Sequence, residues 1–342
     1  MFGIGARSFN SRPEVPLLTR ARVIKLLIAI AILVPLAYLG RQYYGELDRL
    51  RNAPPLLVLA IAVAYLAARA INGEVMRVCL RALGYSIGFA ESWMLAILTS
   101  YANLLLPRVG TGMPAVYLKA TRGVSFADFG SQGFVSTVLQ VAAIGVIGLI
   151  CEALLVTRYG ASAPWPVTLS FAIALVTGLG LVFVRLPTRG EPKGRVGRIL
   201  QKVGEGLAKL GTPRTVLIVT AWNVPLLLLR AWRVQLSFYA IGQPISYPAA
   251  LLASLLGDLT LFVSVTPAAL GFREAVISYS APLLNTTHDV ALAASILDRL
   301  IWSIIVIVIS QFGMWRMIRP VLRKASADAA DASARPPQSS AV

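Results

Sequence analysis

The chain has 342 residues, 57% of them hydrophobic and only 14% charged, with a formal net charge of +17. That balance excludes an ordinary soluble globular domain, and in so apolar a chain the basic surplus reads first as topology signal, not nucleic-acid affinity. Several apolar runs approach the ~20 residues that cross a bilayer as a helix, so the sequence predicts an all-α, polytopic membrane protein. Cys79 and Cys151 fall in separate segments and His288 is the one histidine, so neither a disulfide framework nor a metal site is expected, and no cofactor.

In chain order, Met1–Arg22 is a polar, basic tail, expected to be cytoplasmic. Val23–Leu39 reads as a first span, retained as an anchor because Arg41, Tyr43 and Tyr44 follow it in place of a small-residue cleavage site. Pro54–Ile71 is an Ala-rich second span, suited to close helix packing. Asn72–Ser86 carries Arg77 and Arg81 and belongs on the cytoplasmic side. The apolar stretch Trp93–Leu106 is short and ends in Pro107-Arg108-Val109-Gly110-Thr111-Gly112-Met113-Pro114. Ser125–Asp128 has the pattern of a helix cap, and Phe134–Leu155 and Trp165–Val184 read as spans.

Arg185–Arg214 is the most basic stretch and the strongest cytoplasmic signal. Within it Val196, Ile199, Leu200, Val203, Leu207 and Leu210 recur at helical spacing, which allows a helix lying on the membrane surface; the plainer alternative is a basic loop that only fixes topology. Val216–Ala240 is a long span containing Arg230 and Arg233, three residues apart and so on one face. Gly242–Tyr247 carries no charge and reads as external. Pro248–Val265 leads into Thr266-Pro267-Ala268-Ala269-Leu270-Gly271-Phe272-Arg273-Glu274, then Ala275–Leu284 and a last span, Val290–Met317, with Asp298 and Arg299 in its first half. The chain divides into a tail (1–22), a transmembrane domain (23–318) and a tail rich in Ala, Ser, Asp and Pro (319–342) that is expected to be disordered.

The two Pro/Gly stretches organise the rest. Pro267 removes a backbone donor and Gly271 tolerates backbone angles other residues avoid, so the helix breaks there; Pro107 and Gly110 mark a similar break. A broken helix at membrane depth is tolerated only inside protein or beside a water-filled cavity, whereas the alternative is an exposed loop between two spans. If Trp93–Leu106 crossed fully, Arg185–Arg214 would fall outside, against the charge rule; if it turns back, both basic termini and Arg185–Arg214 lie inside. The expectation is about six full spans plus two re-entrant hairpins, in two halves that enter the membrane from opposite sides, as in many transporters built from inverted repeats.

Arg230, Arg233, Asp258, Arg273, Glu274, Asp298 and Arg299 all fall in or beside apolar segments. Left in lipid, these charges would together cost roughly 20 kcal/mol on insertion scales, so they must pair, face inward or reach the interface. Pairing alone is one reading. The other is a cavity wall, which with Arg108 would carry a positive surplus suited to a phosphate, because arginine binds phosphate through a planar fork. On that reading Arg230 and Arg273 are both needed for transport.

Asn103-Leu104-Leu105-Leu106-Pro107-Arg108-Val109-Gly110, with Ala115-Val116-Tyr117-Leu118 after it, resembles the first signature of a flippase-like membrane family that includes the transmembrane region of lysylphosphatidylglycerol synthases. Pro267–Glu274 resembles the second signature, and Asp298-Arg299-Leu300 looks like the family's arginine-bearing last helix. The resemblance runs from about Val23 to Met317. Where the family commonly places an acid and an arginine after the first signature's glycine, this chain has Thr111 and Pro114, which puts the headgroup or that step in question. The family's synthases add a soluble aminoacyl-transfer domain that this sequence does not carry, so the resemblance implies translocation of a lipid or lipid-linked headgroup across a cell membrane, not synthesis. The partner expected is a membrane lipid with an anionic or phosphate-bearing head, and no nucleic acid. A non-transporting accessory protein for a lipid- or glycan-assembly enzyme is the alternative. An enzyme is not expected, since Asp298 or Glu274 could move a proton but no nucleophile–base pair accompanies them.

Overall fold

The computed structural model describes residues 53–105, 112–160, 164–182, 194–263 and 271–318. The expected span Val23–Leu39, both tails, and the break residues Pro107, Arg108, Gly110, Thr111 and Pro267 lie outside them. Among the described residues all regular structure is helical. In chain order come α1 (Pro55–Ala82), α2 (Phe89–Leu105), α3 (Gly112–Arg122), α4 (Phe126–Tyr159), α5 (Trp165–Val182), α6 (Gly194–Leu210), α7 (Pro213–Ala240), α8 (Tyr247–Val263), α9 (Phe272–Tyr279) and α10 (His288–Gly313). A 3-10 turn (Ala281–Leu284) precedes α10 and a wide turn (Met314–Ile318) follows it.

The helix starts follow local chemistry. Ser125 caps α4, accepting the Asp128 N–H at 3.0 Å as its sequence pattern predicts. Tyr85 donates to the same Asp128 carboxylate at 2.7 Å, and that bond pushes its phenol above the ordinary value. Thr212 caps α7 ahead of Pro213, which fits the first turn because its missing donor is not needed there. α4 ends on Gly160 in the left-handed region, φ 61°.

Among the described residues four helices are long and apolar enough to cross a membrane: α1, α4, α7 and α10 with its following turn; α5 is apolar but shorter. Several run well past the boundaries read from sequence. α1 continues from Ile71 to Ala82, giving 28 residues, or ~42 Å at 1.5 Å per residue. Most of the stretch Asn72–Ser86, placed after the span in the sequence, continues that helix, and in it Glu74 pairs with Arg77 at 2.8 Å. α4 likewise starts eight residues before Phe134.

Element lengths repeat. α1 and α7 each have 28 residues, and each is followed by a 17-residue helix, α2 or α8. The next described helix is short, α3 or α9, and a long one follows, α4 or α10. α1 and α7 pack antiparallel: Tyr65 lies against Arg233, while Ala53 and Ile61 share a cluster with Leu236 and Ala240. In the first half Arg122, at the end of α3, donates to Glu91 in the first turn of α2 at 2.6 Å. The chain has therefore returned to the level at which α2 began. The second half does the same, since Ile277, Ala281 and Leu284 pack with Ala249, Ala250 and Ala253 at the start of α8.

The basic segment folds as α6, whose sequence is the most amphipathic of the chain, and it seats on the N-terminal part of α4. Ser131 donates to the Val203 carbonyl at 3.2 Å, and a Cβ on Gly206 would come within 2.5 Å of the Ser131 hydroxyl oxygen. Leu210 is fully buried in the cluster that also holds Leu80, Leu118 and Val219. One flank of α6 is thus held by protein. Lys202, Glu205 and Lys209 remain exposed.

The hairpin geometry predicts an accessibility pattern. Gly88 and Thr121 flank α2–α3 and both are exposed, as is Gln243 beyond the other end of α7. The native Cys79 and Cys151 are buried, so single reporter cysteines can be read alone. Gly88→Cys and Thr121→Cys should label from the same face of the membrane and Gln243→Cys from the opposite one. Labelling of Gly88→Cys and Thr121→Cys from different faces would mean that α2–α3 crosses.

Candidate functional site

The seven charges singled out in the apolar segments do not lie apart. Arg230 and Arg233 project from α7, Asp258 from α8, Arg273 and Glu274 from α9, and Asp298 and Arg299 from α10. The first six are buried, at 8% exposure or less, and the Arg299 side chain is 12% exposed. Arg230 Nη1 donates to Asp258 Oδ2 at 2.7 Å. Asp298 sits between two arginines: Arg233 Nη2 and Arg273 Nη1 each reach its Oδ2 at 3.1 Å. Arg233 Nε also lies 2.9 Å from Asp298 Oδ1, but its N–H is too far off line to count as a hydrogen bond, so the pair is electrostatic there.

Local sequence explains how α9 presents its pair. Gly271, at φ 81°, takes a backbone conformation that a side chain would strain, and it restarts the helix after the break. Glu274 Oε2 accepts the Gly271 N–H at 2.8 Å, while Oε1 accepts from Arg299 Nε at 3.0 Å. One carboxylate thus caps the restarted helix and ties it to α10. Arg273 points the other way, over Gly257 of α8. A Cβ at Gly257 would come within 2.9 Å of Arg273 Nε, so glycine there leaves the room the guanidinium occupies.

Two charged residues within the spans were missed from sequence. Arg69 sits near the middle of α1, and its Nη1 donates to Ser100 Oγ of α2 at 2.9 Å. Arg69 lies two residues before the Ile71 boundary read from the sequence; its position four residues after Tyr65, on one face, is the available signal. Its Cζ lies 5.2 Å from the Tyr65 ring centre, and Arg233 lies 5.7 Å from the same ring. Tyr65 meets Trp302 edge-on at 6.5 Å, and Arg299 lies 5.1 Å over Trp302. Arginines and aromatics therefore alternate through the centre of the bundle, each cation facing a ring's negative face. Glu152, in the C-terminal half of α4, is the other; it is buried and accepts a hydrogen bond from Thr168 of α5.

Five arginines now stand against three carboxylates in this region. On the opposite side of α8 and α9 lies an apolar cavity of about 570 Å³, lined by Phe134 and Val138 of α4, Ile173 of α5, Leu256 of α8, and Phe272 and Val276 of α9. α8 and α9 therefore form a partition. Asp258 and Arg273 face the charged side, and Leu256, Phe272 and Val276 face the apolar one. Among the described residues no group of three or more His, Cys, Asp or Glu side chains could hold a metal.

The pairing predicts a stability pattern. Asp298→Ala leaves Arg233 and Arg273 buried without their carboxylate and should destabilise the fold by about 3–5 kcal/mol. Thermal unfolding of the purified protein in detergent reads this as a clear drop in Tm. Gly257→Ala, which displaces Arg273, should lower Tm by less, since overpacking costs about 1–3 kcal/mol. An unchanged Tm in Asp298→Ala would mean the pairing contributes nothing.

No curated protein matches the chain. A family model for the lysylphosphatidylglycerol synthase TM region matches residues 22–310, most of the chain, including α1, the breaks, and the pairs on α7, α9 and α10. With four of its described helices long and apolar enough to cross a membrane, this chain is an integral membrane protein and belongs to the family of the lysylphosphatidylglycerol synthase transmembrane region.

Proposed function

We propose that this protein moves a lipid, or a lipid-linked carrier, between membrane leaflets, passing an anionic or phosphate-bearing head along the arginine-rich centre of the bundle. The observation that carries the proposal is a buried network with more arginine than carboxylate, placed where α9 restarts after a break. Buried charge is expensive and is retained in membrane segments chiefly along substrate and ion pathways. A surplus of guanidinium suits a phosphate, and the apolar cavity across the α8–α9 partition suits the hydrocarbon chains. Family membership supports an association with lipid chemistry.

In this reading α2–α3 and α8–α9 are re-entrant hairpins that dip from opposite faces, and α1 and α7 are the matching helices of two inverted halves. The return of Arg122 to Glu91 supports the first hairpin, and the repeated 28- and 17-residue lengths support the halves. Both termini and the basic segment before α7 lie in the cytoplasm, and the membrane is the cell membrane. The protein makes and breaks no covalent bond.

A second reading, an accessory protein docking a lipid- or glycan-assembly enzyme, has one observation in its favour: α6 keeps Lys202 and Lys209 exposed while its other flank is fixed to α4. Reversal of both charges to Glu should release a co-purifying synthase if docking is the role, and leave lipid movement unchanged if it is not.

Reconstituted in liposomes with leaflet-specific fluorescent lipids, the protein should accelerate exchange of a phosphate-headed lipid. Arg230→Ala and Arg273→Ala should abolish that acceleration at matched expression and monodispersity. Full activity in both variants would remove the network from the pathway, and no transport across a panel of lipids would count against the proposal itself.

A further inference from the structure

The arginines of the network are not equivalent. Arg230, Arg233, Arg273 and Arg299 each have a carboxylate within 3.1 Å. Arg69 has none among the described residues. It holds the Ser100 hydroxyl through Nη1 and rests on the Tyr65 ring, while its Nε is buried with no acceptor. The Tyr65 hydroxyl is also buried without a partner, on a side chain that is fully enclosed. Buried donors in native proteins are nearly always satisfied, so two unspent donors on neighbouring turns of one helix call for an acceptor that the described residues do not supply.

The chemistry of that acceptor is restricted. A guanidinium N–H can only donate, and a phenol O–H can donate to the same acceptor. Asp258 is within Coulombic range of Arg69 but is already bonded to Arg230. The local charge therefore stays positive, and a neutral acceptor would leave it so. An oxyanion satisfies the donors and the charge together. Ser100 also donates to the Ala96 carbonyl at 3.2 Å, which fixes its hydroxyl as the acceptor for Arg69 and makes it a positioning residue.

We propose that Arg69 and Tyr65 form the phosphate-binding subsite of the lipid pathway, with Arg69 Nε and Tyr65 Oη as the donors, while the four paired arginines hold the frame around it. This rests on the translocation reading above and narrows it to a phosphate diester or monoester of the headgroup. The subsite joins both halves: Arg69 and Tyr65 belong to α1, Ser100 to α2, and Arg233 of α7 lies over the same Tyr65 ring. A phosphate at Arg69 is thus one ring away from the Arg233–Asp298–Arg273 group that holds α7, α9 and α10.

The test uses the full chain in lipid nanodiscs and compares phosphatidylglycerol with a diacylglycerol of the same chains, which lacks only the phosphate head. Wild type should bind phosphatidylglycerol at least about tenfold more tightly. Arg69→Gln should remove most of that preference, and Tyr65→Phe, which keeps the ring and the packing, should weaken it roughly three- to tenfold. Arg214→Gln, exposed at the start of α7, should leave it unchanged. If Arg69→Gln fails to fold, Tyr65→Phe carries the test alone. An unchanged preference in Tyr65→Phe and in any folded Arg69→Gln overturns the subsite while leaving translocation standing. Binding of inorganic phosphate that depends on Arg69, with no preference for the phospholipid, overturns the lipid assignment. No binding of either probe by wild type overturns both.

Discussion

Asp298 holds the molecule's centre. Its carboxylate lies between Arg233 of α7 and Arg273 of α9, and it projects from α10, so one side chain ties three helices together. In a bilayer the usual force that drives helices together is weak, because lipid tails are as apolar as leucine side chains. Polar contacts then decide which helices meet and in what register. The breaks make this more acute, because α9 is only eight residues long and could not hold its place by its own hydrogen bonds. Its position comes from outside: Arg273 to Asp298, Glu274 to Arg299, and Ile277 into the α8 cluster.

That dependence constrains how far the arginines can also serve a ligand. A guanidinium bonded to a buried carboxylate can contact a phosphate only by sharing or surrendering that bond, and removing a partner from a buried pair costs about 3–5 kcal/mol. Paired arginines are therefore better suited to holding shape and field than to gripping and releasing cargo. A surplus cation whose fixed contacts are a hydroxyl and a ring can exchange partners at much lower cost. The division between frame and exchangeable cation follows from the pairing pattern and not from the residue type, since all five are arginine.

Much of the frame was legible in the sequence because charges in apolar runs are costly enough to be informative one by one. The seven residues flagged on that ground meet in space. Their partners were not legible. Asp298 and Arg233 are 65 residues apart, and nothing in spacing distinguishes Asp258 from Asp298 as the partner of Arg230. Boundaries failed in a consistent direction: α1 and α4 run past the apolar stretch, since polar residues extend a helix into the interface as readily as they end it. That error hid Arg69, which sits mid-helix once α1 runs to Ala82. Glu152 was hidden differently, by a span apolar enough that one carboxylate did not interrupt its pattern.

The same partition shows why a polar head and an apolar tail can be handled by one short stretch of chain. Successive residues of a helix point about 100° apart, so Phe272 and Arg273 face different compartments without any distortion of the backbone. On α8 the alternation is equally tight, with Leu256 on the apolar cavity, Gly257 against Arg273 and Asp258 on Arg230. A thin wall carrying charge on one side and hydrocarbon on the other presents an amphiphile with both of its preferred surroundings at one depth. Gly257 sets the thickness of that wall, because any side chain there would push Arg273 away from Asp298. The smallest residue in the region therefore controls how closely the charged and apolar compartments approach.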